Sequence, residues 1–145
     1  MNQVQAYLDL QKKQQDELTA FPIAYVFNDK QLEEALEKLG ATKAECVTYM
    51  GHGDIMKKSD APAFTAMLKR HLAEMREALM NEEFAVAAFL HEMYNHEYAI
   101  NWDGDADVLA AFAMDEKDLD ELGLKNAYKR ARKQYYRESQ EWEMN

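Results

Sequence analysis

The 145-residue sequence has few of the residues that break or cross-link a chain: 5 Gly, 2 Pro and 1 Cys. With so little Gly and Pro, it is neither a linker nor a low-complexity chain. The single cysteine, Cys46, excludes an internal disulfide, so the cytoplasm is the expected location. The longest apolar runs, Phe84–Leu90 and Val108–Met114, are far shorter than the about 20 residues of a membrane-spanning helix. The N-terminus also lacks the apolar centre of a signal peptide, and we expect no membrane contact.

Positive charge is scarce as well, because 17 Lys and Arg face 27 Asp and Glu, for a formal net charge of -10. A general nucleic-acid binder carries the opposite sign, so nucleic acid is not the expected partner of the whole chain. Ser59 and Ser139 are the only serines. The sequence contains no Gly-x-Ser-x-Gly elbow, no phosphate-binding glycine loop and no dinucleotide fingerprint, and no cofactor is expected.

Most of the chain has apolar residues at helical spacing. Asn28 with Gln31 is typical of a helix start, and Gly40 of a helix end. Seven helices are predicted, at about 3–18, 29–39, 60–80, 82–96, 106–113, 116–122 and 124–142. The helix at 82–96 is apolar on nearly every side at its start, and we therefore expect it to be the central one.

Short β-branched and aromatic segments predict the strands, and two glycines near His52 are typical of a tight hairpin between two of them. The predicted strands are Ile23–Phe27, Glu45–Met50, Ile55–Lys57 and, as a further candidate, Tyr98–Trp102. The fold class is then an α-rich α+β single domain, with a small antiparallel sheet of about three to four short strands packed by two long helices. We divide it into an N-terminal helix (1–20), an α+β core (21–102) and a segment (103–145) with acidic helices and a basic C-terminal helix.

The segment from His91 to His96 resembles the helix of zinc proteases, but its histidines are five residues apart instead of four. They therefore point about 140° away from one another around a helix. Glu92 and His96 do share a face, and we expect a carboxylate–imidazole pair. One alternative function is a small metal-dependent or acid–base enzyme that uses His52, His91, Glu92 and His96. Cys46 is a further ligand candidate, although the set lacks the close-spaced ligand pairs of a zinc site.

The segment from 103 to 121 contains eight acids and one base, Lys117. Its first three aspartates resemble a calcium loop, but the Gly and Glu that such a loop requires are absent, which favours an acidic turn before a helix. We interpret the acids as a surface for a host protein with a basic groove, reached by electrostatic steering. A purely solubilising role is the alternative. The eight residues are Asp103, Asp105, Asp107, Asp115, Glu116, Asp118, Asp120 and Glu121.

The last predicted helix is basic on one face and has tyrosines between its cations. A second alternative function is nucleic-acid binding through Lys129, Arg130, Lys133 and Arg137, with Tyr128, Tyr135 and Tyr136 as stacking residues. Pairing with the acidic segment or plain solvation explains the same pattern. This helix and the N-terminal helix are also candidate seams of a homodimer.

Several segments between Ala24 and about Leu109 carry a resemblance to a known family. They are the strand Ala24–Phe27, the helix residues Glu34-Ala35-Leu36, the turn Gly51-His52-Gly53, the segment Phe64–His71 and the motif Asn95-His96-Glu97-Tyr98. In these the chain resembles a family of small uncharacterised proteins of bacteriophages and gut-type bacteria. The resemblance implies a phage or mobile-element accessory role and brings no catalytic residues with it.

The leading functional hypothesis is a non-enzymatic acidic interaction protein that binds a basic host protein. An anti-CRISPR-type inhibitor that imitates the charge of DNA fits the chain's size and its net charge of -10.

Overall fold

The computed structural model describes residues 2–48, 53–96, 98 and 104–144, with side chains up to residue 140. The helices are α1 (Gln3–Ala20), α2 (Asp29–Leu39), α3 (Ala61–Leu79), α4 (Glu82–Asn95), α5 (Gly104–Ala110), α6 (Glu116–Glu121) and α7 (Lys125–Met144). The strands are β1 (Ala24–Tyr25), β2 (Cys46–Val47) and β3 (Asp54–Lys57). The predicted α-rich α+β class is therefore confirmed. Within the described part of the chain, no helix is both long enough and apolar enough to cross a bilayer.

Local capping signals define the ends of α2 as the sequence predicts. The Asn28 side chain accepts a hydrogen bond from the Gln31 amide at 2.8 Å. The Gln31 side chain accepts in turn from the Phe27 amide at 2.7 Å, one residue before the expected donor. At the other end Gly40 has φ 65, a left-handed conformation that costs little for glycine.

The sheet is antiparallel with the order β1-β3-β2, and its outer strands are shorter than predicted. Ala24 pairs with Ile55, and Cys46 pairs with Lys57. The Val26 amide still donates to the Gly53 carbonyl at 2.7 Å, so backbone pairing continues one residue past β1 before Asn28 caps α2. Residues 49–52, which include the predicted hairpin tip, lie outside the described residues. So do 99–102 of the fourth predicted strand, and Tyr98 itself is in no strand.

Contacts between residues in space divide the chain into two compact units. Residues Lys13–His71 form one, called here the sheet unit. Its core is small: Met56, Phe64 and Met67 are buried, and the rings of Phe21 and Phe64 lie 5.2 Å apart. The first part of α3 thus covers β3.

Residues Met1–Lys12 and Leu72–Asn145 form the second unit, called here the helical unit. Its centre is α4, which packs chiefly on α7. α4 begins at Asn81, whose side chain accepts from the Phe84 amide at 3.0 Å. The fully buried Phe89 ring makes edge contacts with Phe112 and Tyr128, at 5.1 and 5.2 Å. The prediction that this helix is the buried centre holds for the helical unit.

Candidate functional site

Two of the predicted partner-binding acids form the start of α6. Asp115 accepts a hydrogen bond from the Asp118 amide at 2.9 Å, and Asp118 accepts from the Asp115 amide at 3.0 Å. This reciprocal arrangement is a capping box, in which each side chain satisfies a free backbone donor at the helix start. Asp115 and Asp118 therefore hold α6 in place in addition to contributing charge.

Four further acids, Asp107, Glu116, Asp120 and Glu121, are exposed on α5 and α6. We call them the acidic face. Glu121 lies 3.7 Å from Lys117, and Asp120 lies 3.7 Å from Lys125. All four of these paired side chains are more than half exposed, so the pairs contribute little stability and neutralise the face only in part. Asp103 lies outside the described residues.

Asp105 differs from the acidic face because its carboxylate is partly buried and hydrogen-bonded within the helical unit. It accepts hydrogen bonds from the hydroxyls of Tyr98, at 2.7 Å, and Tyr128. Burial, followed by the bond to Asp105, raises the pKa of Tyr98 to about 12, and the same two causes raise the pKa of Tyr128. Arg132 lies beside this group. Asp105 is thus an internal anchor of two tyrosines and not part of the acidic face.

The cations predicted to bind nucleic acid are not equivalent in the structure. Arg130 pairs with Glu83 at 2.9 Å and with Glu82 at 3.1 Å, both at the start of α4. Lys133 and Arg137 are exposed on α7. The helix periodicity predicts a continuous basic face. In the structure Arg130 is engaged in ion pairs with α4, so that face is interrupted.

The tyrosines predicted to stack on bases are used in packing. Tyr128 is 4% exposed and contacts Phe89. The Tyr135 ring lies 4.9 Å from Tyr94 and 5.6 Å from Tyr98. Tyr136 also packs at the edge of the helical core. Tyr128 in particular has no free ring face for a base.

Glu92 is the centre of a buried polar cluster in the helical unit. Its carboxylate accepts from the Tyr7 hydroxyl at 2.7 Å and from Gln11 Nε2 at 3.3 Å. His96 Nε2 lies 3.2 Å from the other carboxylate oxygen, which confirms the predicted carboxylate–imidazole pair. Asn95 Nδ2, at 3.4 Å, is a weaker fourth neighbour. The carboxylate is 4% exposed, and this set of donors is what makes its burial tolerable.

The sequence does not indicate that Tyr7 and Gln11 contact Glu92, because they are 85 and 81 residues away from it. The only signal for them is their spacing of four on α1, which places both on one helix face. Tyr7 is fully buried, and burial, followed by the contact with Glu92, raises its pKa.

His91 and His96 have different surroundings. The His91 ring lies 5.7 Å from the Tyr7 ring, whereas His96 lies against Glu92. Neither histidine belongs to a group of three or more metal-ligating side chains among the residues that the structure describes. His52 lies outside those residues, and Cys46 is half-buried on β2.

A second charged cluster, which the sequence does not indicate, lies in the sheet unit. Arg70 donates two hydrogen bonds to Glu17, which is 53 residues away. His71 Nε2 lies 3.5 Å from the same carboxylate, and Gln14 donates to the His71 carbonyl at 2.9 Å. The hydrogen bonds from Arg70 lower the pKa of Glu17 to about 2. This cluster ties α1 to α3 within the sheet unit.

The sheet unit also has two exposed aromatic side chains near β1. Tyr25 is 63% exposed and Phe27 is 82% exposed. Their positions, two residues apart, follow the alternation of a strand. Phe27 was predicted as a strand residue and is instead the last residue before the α2 cap.

Comparison with known proteins relates the chain to a protein family. Residues 6–134 match a family of unknown function (DUF7659). No curated protein and no solved structure matches the chain. The matched range includes the Glu92 cluster, the acidic face and the first half of α7. It therefore extends beyond the range of the resemblance seen in the sequence on both sides.

Proposed function

The chain belongs to this family of unknown function, and we propose that it is a non-enzymatic acidic interaction protein that binds a basic partner. The observation that carries the proposal is the exposure of Asp107, Glu116, Asp120 and Glu121 on α5 and α6. Charges placed in this way cost nothing to expose and are available to a partner of opposite sign. Their main effect is to accelerate and orient association.

The distribution of cations supports the same conclusion. On α7, Arg130 already forms ion pairs with Glu82 and Glu83. The acidic face pairs only weakly with Lys117 and Lys125, each at 3.7 Å. A basic partner would therefore displace two exposed pairs that contribute little to stability.

We also propose a context for this interaction. The partner is a host protein with a basic groove of the kind that binds nucleic acid, and the acidic face imitates phosphate charge there. An anti-CRISPR-type or other anti-defence inhibitor, encoded by a phage or mobile element and acting in the host cytoplasm, is the class that fits. The support is the net charge of -10 on a 145-residue chain together with the exposed acids.

The test compares two variants with the same change in charge. The first carries Glu116→Gln, Asp120→Asn and Glu121→Gln on the acidic face. The control carries Glu33→Gln, Glu34→Gln and Glu37→Gln, three exposed acids of α2. In affinity capture from host lysate, we expect the control and the unmodified protein to retain the same basic protein and the first variant to lose it. Equal capture by both variants, or capture of no basic protein, contradicts the proposal.

One observation favours a second candidate, acid–base chemistry. His96 is partly exposed and lies 3.2 Å from the buried Glu92 carboxylate, which is how an oriented imidazole base is held. If His96 acts in this way with a metal, purified protein contains stoichiometric zinc or manganese, and His96→Gln loses the metal. Metal-free protein with an unchanged melting temperature in His96→Gln contradicts the metal-dependent form of this candidate.

A further inference from the structure

The helical unit contains a cavity of about 160 Å³ between α5, α6 and α7. This volume is close to that of a cavity known to hold one benzene molecule. Its lining residues are Asp105, Leu109, Glu116, Leu119, Lys125, Tyr128, Lys129 and Arg132.

The buried side chains that line the cavity are apolar or aromatic, and its exposed side chains are charged. Leu109, Leu119 and Tyr128 are each at most 5% exposed. Lys125 and Lys129 are exposed and follow one another at a spacing of four on α7, so both stand on the same side of that helix. A ligand that enters the cavity therefore meets ammonium groups first and apolar side chains beneath them.

The charge balance at the cavity favours an anion. Three cations and two acids line it, in a chain whose net charge is -10. One of the acids, Asp105, already accepts two tyrosine hydroxyls and lies beside Arg132. The other, Glu116, is exposed to water. Lys129 makes no ion pair with any residue that the structure describes, and its charge is left for a ligand.

We propose that this cavity binds a small organic anion, a carboxylate or phosphate group attached to an apolar body about the size of a benzene ring. Lys129 and Lys125 bind the anionic group through charge-assisted hydrogen bonds. Leu109 and Leu119 contact the apolar body. This proposal goes beyond the proposed partner binding, because its ligand contacts are the cations of α7, although Glu116 of the acidic face lines the cavity and Asp120 pairs with Lys125.

Four probes separate the two parts of the recognition in a titration followed by ¹⁵N NMR or calorimetry. Benzoate and phenyl phosphate carry both the charge and the ring, benzyl alcohol carries only the ring, and inorganic phosphate carries only the charge. We expect saturable binding of at least one of the first two, tighter than that of either single-feature probe. The amide shifts should concentrate at α5, α6 and the start of α7.

The matched variants are Lys129→Gln and Lys133→Gln. Both remove one exposed cation of α7, but Lys133, one turn after Lys129, does not line the cavity. Loss of one charged hydrogen bond predicts about tenfold weaker binding in Lys129→Gln and no change in Lys133→Gln. Unchanged melting temperatures confirm that both variants are folded.

Three results would overturn the proposal. Neither benzoate nor phenyl phosphate binds saturably, benzyl alcohol binds as tightly as they do, or the two variants weaken binding equally. Equal weakening shows general attraction to a basic helix and no site at the cavity.

Discussion

The helical unit buries more of its hydrogen-bonded polar groups and aromatic rings than the sheet unit does. In the helical unit, the hydroxyl of the buried Tyr7 is paired with Glu92, and two other tyrosines are paired with Asp105. In the sheet unit, Glu17 and Arg70 pair where both are partly exposed to water. Charged groups inside a low-dielectric core are costly to leave unpaired, while exposed pairs contribute little. The helical unit is therefore the part whose interactions matter most for stability.

The aromatic residues show the same difference between the two units. The helical unit packs Phe89 between Phe112 and Tyr128. The sheet unit leaves Tyr25 and Phe27 largely exposed. Large exposed aromatic side chains add nothing to a core, whereas a buried ring removes well over 100 Å² from water.

The largest expected effect comes from Phe89→Ala. Removing this fully buried ring leaves a cavity among rigid neighbours, and we expect a loss of about 3–5 kcal/mol in the free energy of unfolding. Urea denaturation measures it. The matched variant, Phe64→Ala in the sheet unit, should cost less, because the smaller core around Phe64 collapses more easily into the space. A larger loss in Phe64→Ala reverses the comparison between the units.

The next effect compares two carboxylates. Glu92→Ala leaves the Tyr7 hydroxyl buried without its acceptor and should cost about 3 kcal/mol. Glu17→Ala removes an exposed pair and should change stability far less, with the small change abolished by salt. Chemical denaturation at low and high salt gives both values. Similar losses in the two variants show that burial does not distinguish the clusters.

The tyrosines predict a loss of stability at alkaline pH. The pKa of Tyr98 is raised from 10.0 to about 12, so the folded state holds the proton more tightly than the unfolded state. This contribution is complete below pH 10 and is lost as the pH rises from 10 through 12. Melting temperatures followed by circular dichroism across this range should fall, and Tyr98→Phe should reduce the slope. An unchanged slope in Tyr98→Phe shows that Tyr98 does not contribute.

The smallest effect concerns a local signal in the sheet unit. Asn28→Ala removes the acceptor for the Gln31 amide and should cost about 1 kcal/mol. Asn28→Asp, which keeps an acceptor, is the control and should remain close to the unmodified protein in the same denaturation experiment. An equal loss of stability in both variants shows that the cap hydrogen bond is not its cause.

Features that depend on neighbours along the chain were predictable from sequence. Asn28 and Gly40 define α2, and the spacing of four between Glu92 and His96 predicts their pair. These contacts form whenever the helix forms, so the order of residues is enough to predict them.

Contacts between distant parts of the chain were not predictable. The partners of Glu92 on α1 and of Asp105 on α7 depend on how whole helices pack. For the same reason, the sequence alone did not separate Asp105 from the exposed acids around it. The length of β1 was overestimated because β-propensity does not register where the next helix begins, and Asn28 already caps α2 three residues after β1 ends.

The most direct test of the proposed function measures the association rate of the chain with its captured basic partner as a function of salt concentration. If the acidic face steers binding, the rate falls steeply with salt, and the variant Glu116→Gln, Asp120→Asn, Glu121→Gln has a slower rate and a flatter dependence than the α2 control. A rate that is insensitive to salt, or equal slopes in the two variants, contradicts the account.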